Sequence, residues 1–241
     1  MKYGIISDIH SNLEALKEVL AACQKERVDK YLCVGDIVGY GPNPKECIDI
    51  VQSLGAVCVA GNHDWASIAK LDASYFTPDG KEAIAWTREH LTMESFTFLN
   101  SFPLIEKVED LILVHGTLFE PEKFNYQNNI AEVPDSFNLM DKNLCFVGHT
   151  HSPKVFVQFK DKVYVSSERV VEIEQGVKYI VNVGSVGQPR DGNPLASFCI
   201  YDTDAEIIEI KRVRYDIEAV QKKIIDAGLP GMLAYRISIG M

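Results

Sequence analysis

Thiolate metal sites are the first thing this sequence lacks. Its six cysteines (23, 33, 47, 58, 145 and 199) lie singly inside apolar segments, with no Cys-x-x-Cys pair. Free buried thiols in a reducing compartment are therefore expected, rather than a disulfide framework or a zinc ribbon. Long apolar runs are also absent: nothing approaches the ~20 residues that span a bilayer. The start, Met1-Lys2-Tyr3-Gly4-Ile5-Ile6, enters a strand and has no signal-peptide layout. Both features point to a cytoplasmic protein with no membrane contact. Basic charge is scarce as well, with 24 Lys and Arg against 34 Asp and Glu, a net charge of −10. Broad nucleic-acid binding needs a basic face and is disfavoured. An anionic substrate is still open to the protein if metal ions supply local positive charge.

Histidine is scarce but far from scattered. Of six histidines, only His90 stands outside a set of five short motifs. These are Asp8-Ile9-His10, Gly35-Asp36, Gly61-Asn62-His63-Asp64, Val114-His115-Gly116 and Gly148-His149-Thr150-His151. Each follows a short apolar run that reads as a buried strand, so each places a polar side chain just past a strand's carboxyl end. In open α/β sheets that edge is where ligands bind. Asp8, His10, Asp36, Asn62, His115, His149 and His151 are candidate metal ligands, all nitrogen or oxygen donors, suited to Mn, Fe, Zn, Co or Ni. Seven donors exceed one tetrahedral site. They fit two divalent ions that share one carboxylate.

With 241 residues, the chain fits one α/β domain spanning 1–241, with a helical insertion at about 64–103. Strands 2–7, 31–34 and 56–60 alternate with helices at 13–27 and 44–54, implying a parallel core with right-handed crossovers. Ser11 with Glu14 forms a capping-box pattern at the first helix. The insertion reads as helices near 64–71, 79–90 and 93–101. Its aromatics, Trp65, Trp86, Phe96 and Phe98, are packing residues, some of them candidates for a cleft wall or lid. Strands follow near 104–108 and 111–114 around a Glu109-Asp110 turn, then a loop at 116–130 and a short helix at 133–141. After His151 the period becomes two: 154–159, 163–167, 170–174 and 177–183 read as antiparallel strands, with hairpin turns at Asp161-Lys162 and Gln175-Gly176. A hairpin at 196–202 and 206–214 precedes a surface helix at 216–227. The tail, 229–241, is too apolar to float free and is expected to dock on the core, a dimer contact being the alternative.

The ordered pattern Asp-x-His, Gly-Asp, Gly-Asn-His-Asp, His, Gly-His-x-His, complete from Asp8 to His151, resembles the calcineurin-like binuclear metallophosphoesterases. The resemblance implies a four-layer αββα sandwich, an α/β (α+β) fold of two mixed β-sheets flanked by helices. It implies that Asp8, His10, Asp36 and His151 hold one metal, and that Asp36, Asn62, His115 and His149 hold the other. Manganese is the expected metal from family usage. His63 matches the family's non-ligand histidine, expected to stabilise or protonate the departing oxygen. Asp64 then either orients His63 or caps the next helix. Two divalent ions against two carboxylates leave a charge of about +2, enough to draw in a phosphate, and paired ions generate a bridging hydroxide near neutral pH.

Two stretches bear on subtype. Ser/Thr protein phosphatases and symmetrical diadenosine tetraphosphate hydrolases of this superfamily have Asp-Arg-Gly where this chain has Gly39-Tyr40-Gly41, so protein phosphatase activity of that type is in doubt. The run Asn182-Val183-Gly184-Ser185-Val186-Gly187-Gln188-Pro189-Arg190 resembles the small bacterial and archaeal phosphodiesterase branch. A glycine-rich turn offers N–H groups to an anion and Arg190 a forked phosphate contact; a tight turn with a surface arginine is the plainer alternative. Tyr40 and Asn12 are further candidates for the cleft wall. The expected activity is hydrolysis of a phosphodiester or phosphoanhydride in a small molecule. The expected partner is correspondingly a small phosphate ester or nucleotide. A dinucleoside polyphosphate or nucleotide hydrolase competes with a broad phosphodiesterase. A non-catalytic scaffold and a nuclease of the same fold are more remote.

Overall fold

The computed structural model describes residues 1–166 and 168–241. Three strand–helix units come first: β1 (Lys2–Ile6), α1 (Leu13–Lys25), β2 (Lys30–Cys33), α2 (Pro44–Ser53), β3 (Val57–Cys58) and α3 (Asn62–Ser67). Two longer helices follow, α4 (Pro78–His90) and α5 (Met93–Asn100), then the hairpin β4 (Ile105–Val108) and β5 (Leu111–Val114). The second half holds α6 (Pro134–Leu139), β6 (Leu144–Val147), β7 (Lys154–Phe159), β8 (Lys162–Ser166), β9 (Val170–Glu172) and β10 (Lys178–Asn182). It closes with β11 (Ala196–Asp202), β12 (Ile207–Val213), α7 (Ile217–Asp226) and α8 (Gly231–Ile239).

The strands form two six-stranded mixed sheets, ordered β3-β2-β1-β11-β12-β9 and β4-β5-β6-β10-β7-β8. Side-chain alternation along each strand explains why they stack. Tyr3 and Ile5 of β1, Leu111 and Leu113 of β5, Leu144 and Phe146 of β6, and Tyr179 and Val181 of β10 share one core between the sheets. Their neighbours face outward. Ile6, Cys33 and Cys58 meet Leu16 and Val19 of α1, Ile48 of α2 and Leu99 of α5. On the opposite side, Ile112, Cys145 and Ile180 meet Phe137 of α6. The result is the expected four-layer sandwich. All six cysteines are free and buried, and among the described residues no helix is long and apolar enough to cross a membrane.

Several local expectations shift. Asn12, not Ser11, caps α1, its side chain accepting from Ala15 N. The third strand shrinks because it is a sheet edge: Val59 N still reaches Cys33 O, but Ala60 N turns away to Pro103 O. The β7–β8 turn is Lys160-Asp161, since Phe159 pairs with Lys162; residue 167, the expected last residue of that strand, lies outside the described residues. The hairpin expected about Gln175-Gly176 does not form. Val170–Glu172 pairs with β12 at the edge of one sheet, whereas β10 sits inside the other, parallel to β6 and antiparallel to β7. Period-two alternation reports a half-buried strand but not its partner. The apolar tail docks as a helix: Leu233 and Ile237 of α8 are buried with Val220 and Ile224 of α7 and with Tyr40.

Candidate metal centre and cavity

The carboxyl ends of β1, β2, β3, β5 and β6 deliver Asp8, Asp36, Asn62, His115 and the His149/His151 pair to one place. Three groups have ligand atoms mutually within 4.8 Å: Asp8/His10/His151, His10/Asp36/His63 and Asp36/His115/His149. Asn62 joins through its Oδ1, 3.2 Å from His115 Nε2. Asp36 belongs to two of the groups and lies between the other ligands, its Oδ2 3.2 Å from His115 Nε2 and 3.7 Å from His10 Nε2.

Hydrogen bonding at the far side of each ring fixes what the near side offers. His10 Nδ1 lies 3.0 Å from Val38 O, His115 Nδ1 2.7 Å from Val34 O, and His151 Nδ1 2.5 Å from Gln188 O. A carbonyl only accepts, so each Nδ1 carries a proton; His10 and His151, held neutral by burial, present a lone pair at Nε2, whereas His115 keeps a second proton there, facing Asp36 Oδ2, until a cation displaces it. Yet His10 Nε2 and His151 Nε2 face each other at 3.0 Å. Burial lowers both imidazoles below their usual pKa. Two lone pairs at that distance repel unless a cation lies between them. Among the described residues Asp8 Oδ1, Asp36 Oδ2 and His149 Nε2 are buried without a hydrogen-bond partner, and such orphans are costly unless something else satisfies them. The donor set and its unpaired atoms fit divalent cations.

Electrostatics agree. Burial opposes ionisation of Asp8 and Asp36, but the surrounding imidazoles hold both carboxyls below the ordinary carboxylate range. Burial also opposes a proton on His115, but Asp36 and Asp8 raise it to about 9. Each carboxylate thus draws positive charge into the cluster. Burial lowers His149 to about 3 and His63 to about 4, leaving both neutral.

The backbone around these ligands is strained. Asp8, His10, Asp36, His149 and His151 have φ of 50°, 48°, 54°, 66° and 58°, a region that costs a non-glycine residue roughly 1–3 kcal/mol. Surrounding bonds hold them there. Ser7 Oγ donates to Asp8 Oδ2 at 2.6 Å, as does His149 N at 3.0 Å. Asp64 accepts from Asp36 N, Val38 N and Gly61 N at 2.8–3.1 Å. Asp64 therefore caps α3 and pins the Asp36 loop; it makes no hydrogen bond to His63. Two glycines are required by close approach. A β-carbon on Gly61 would overlap the Asp36 carboxylate, and one on Gly148 would overlap Ser7 Oγ beside Asp8.

Asp36, Asn62, His149 and His151 of the cluster line a cavity of about 330 Å³, together with Tyr40, His63, Tyr75, Phe76, Tyr126 and Arg190. His63 packs against Tyr40 and Phe76, ring centroids 4.3 and 4.9 Å away, and its Nδ1 has no partner. Tyr126 stacks on His149 at 4.1 Å. Arg190 is held by Gln188 Oε1 at 2.7 and 3.2 Å and lies over the Tyr40 ring. Of the sequence-chosen substrate residues, Tyr40, Asn62 and Arg190 line this cavity. Asn12 does not: one end of its amide caps α1 and the other donates to Gly187 O. Nor do Trp65, Trp86, Phe96 and Phe98; Trp65 packs on Phe124, Trp86 on His90 and Phe98 on Phe102. The insertion contributes Tyr75 and Phe76 instead. Sequence reading also missed Gln188, Ser7 and Arg236. Gln188 lay within a stretch already singled out and Ser7 beside a ligand; Arg236 had no signal beyond being the one basic residue of an apolar tail.

A family model, the calcineurin-like phosphoesterase superfamily domain, matches residues 1–206. The chain belongs to that superfamily. An uncharacterized protein of Methanocaldococcus jannaschii is 42% identical over 241 residues, covering 98% of this chain and 97% of that one. The crystal structure of a metallophosphoesterase from Sphaerobacter thermophilus is 38% identical with a TM-score of 0.87, covering 100% of this chain and 99% of that chain. The symmetrical bis(5'-nucleosyl)-tetraphosphatase of Haemophilus influenzae is 33% identical over 135 residues, which span 46% of this phosphoesterase and 49% of that protein. In this phosphoesterase every candidate metal ligand, with His63 and Arg190, lies within the matched region; α7 and α8 lie beyond it.

Proposed function

We propose that the protein is a cytoplasmic, binuclear metal-dependent phosphoesterase, a phosphodiesterase foremost, hydrolysing a phosphodiester or phosphoanhydride in a small molecule, with the whole chain forming one domain and the stretch 71–77 of the 64–103 insertion walling the cavity. The observation that carries this is the convergence of buried, unpartnered oxygen and nitrogen atoms on one point beside an open cavity. Asp8, His10, Asp36 and His151 would hold one divalent ion, and Asp36, Asn62, His115 and His149 the other; the donors suit Mn, Fe, Zn, Co or Ni alike, and manganese is chosen from family usage. When bound, such ions acidify a water and clamp phosphate oxygens. The protein's own groups do the rest. Backbone carbonyls of Val34, Val38 and Gln188 orient the imidazoles. Arg190, with Nε and Nη2 committed to Gln188, offers its remaining protons to a phosphate oxygen. His63, on the cavity wall with Nδ1 unpartnered, stabilises the departing oxygen.

The test is hydrolysis of bis-p-nitrophenyl phosphate by chelator-stripped protein with and without Mn²⁺. Activity restored by metal supports the reading, and metal-independent turnover contradicts it. His63→Ala is expected to lower kcat by roughly 10²–10⁴-fold. The loss should be smaller for p-nitrophenolate, a good leaving group, than for an alkoxide; equal losses would show that His63 serves another step.

A second reading is a dinucleoside polyphosphate hydrolase. It is favoured by the aromatic rings of Tyr75, Phe76, Phe124 and Tyr126 on the cavity wall, which suit base stacking.

A further inference from the structure

The cavity holds two guanidinium groups, and only Arg190 comes from the superfamily region. Arg236 is supplied by α8, beyond the matched residues. Two cations in one half-enclosed space repel, and that arrangement usually persists because a carboxylate or a ligand neutralises it. Among the described residues neither arginine makes an ion pair with an acidic side chain. Arg190 is bound by the neutral amide of Gln188, and Arg236 Nε donates to Met241 O at 3.0 Å, leaving its Nη protons uncommitted. Of the acids nearby, Asp72 is spent on Ser74 N and Ser74 Oγ at 2.9 and 2.6 Å, Asp36 faces the imidazoles, and Asp79 acts on Arg236 only through space. Lys123, also on the wall, is paired with Glu120 at 2.6 Å. Burial and the Arg190 charge both lower the Arg236 pKa, so the two cations do feel each other. Tyr40 is the shared wedge. Its ring lies under Arg190, 5.6 Å from the guanidinium carbon, and packs on His63 and into the α8 core. The docking of the apolar tail thereby sets a second arginine on the wall of the cavity that Asp36, Asn62, His149 and His151 also line.

We propose that Arg190 and Arg236 form a second anion subsite, so that the preferred substrates carry a further phosphoryl group beside the scissile one, as in a phosphoanhydride. This deepens the phosphoesterase reading and rests on it for catalysis, but the subsite binds anions whether or not the enzyme turns over. A guanidinium pair matches the several oxygens of a di- or triphosphate, each bond charge-assisted. A simple diester such as bis-p-nitrophenyl phosphate presents a single phosphate, which the metal centre and Arg190 would engage without Arg236.

Two experiments test this with wild type, Arg236→Gln and Arg236→Lys, each first checked for folding by thermal unfolding. In the first, inorganic tripolyphosphate is titrated calorimetrically into chelator-stripped protein. Arg236→Gln is expected to bind roughly tenfold more weakly, and Arg236→Lys, which keeps the charge but not the fork, in between. In the second, with Mn²⁺ restored, kcat/KM is compared for diadenosine tetraphosphate and bis-p-nitrophenyl phosphate. The tetraphosphate is expected to lose roughly tenfold more than the diester on Arg236→Gln. Unchanged tripolyphosphate binding, or equal losses on both substrates, would overturn the subsite. Should wild type hydrolyse neither substrate while Arg236→Gln still weakens tripolyphosphate binding, the phosphoesterase reading fails and the subsite stands. If Arg236→Gln does not fold, the Arg236→Lys comparison decides alone.

Discussion

Asp36→Asn is expected to reduce metal-dependent phosphodiester hydrolysis by about 10³-fold or more, with little change in fold. The side chain keeps its shape, so packing around it persists. What changes is charge, at the residue that touches both groups of ligands. Its Oδ1 accepts from His63 N at 2.8 Å, a bond an amide oxygen can still accept. Its Oδ2 has no hydrogen-bond partner and lies 3.2 Å from His115 Nε2, which is where the negative charge acts. Removing that charge also removes the main attraction raising His115. Steady-state kinetics at saturating Mn²⁺, with circular dichroism as the control, give the answer. Residual activity above a few per cent would mean that Asp36 is not shared between two ions.

Gly148→Ala should act through geometry instead. The added β-carbon would collide with Ser7 Oγ and come within 2.5 Å of Asp8 Oδ2. Ser7 cannot retreat freely, because its hydroxyl fixes Asp8 and the four residues before it, Tyr3 to Ile6, are buried. Overpacking of this kind costs about 1–3 kcal/mol. A shift of the Asp8 carboxylate by a fraction of an ångström could separately cost up to roughly 10²-fold in turnover. Urea unfolding and Mn²⁺ affinity measured on the same sample check both parts. Unchanged stability would show that the loop relaxes more easily than its contacts imply.

The contrast between these two residues shows what was legible in the sequence. The candidate metal ligands could be picked out because they are chemically distinctive and follow strand-like runs. Their grouping follows from the fold, since sheet order brings the ends of β1, β2, β3, β5 and β6 together. The reason for Gly148 was less visible, because the side chains that a β-carbon there would meet, those of residues 7 and 8, are remote in sequence. Strand partners were hidden for a similar reason. Val170–Glu172 and Lys178–Asn182 both alternate, but only the core between the sheets, with Val171 and Val177 in it, assigns them to different sheets. Asn12 has a side chain that suits a cleft, but the start of α1 uses it as a cap. Arg236 was hidden because a lone basic residue in an apolar helix reads as a surface position until Tyr40 and α7 fix which way the helix docks.

Metal stoichiometry tests the central claim most directly. Chelator-stripped protein dialysed to equilibrium against Mn²⁺ and assayed by elemental analysis should hold two ions per chain. It should bind both with affinities that survive moderate salt, because the ligands are buried. One ion, or none, would contradict the account, since seven convergent donors with their lone pairs turned inward would then need another explanation.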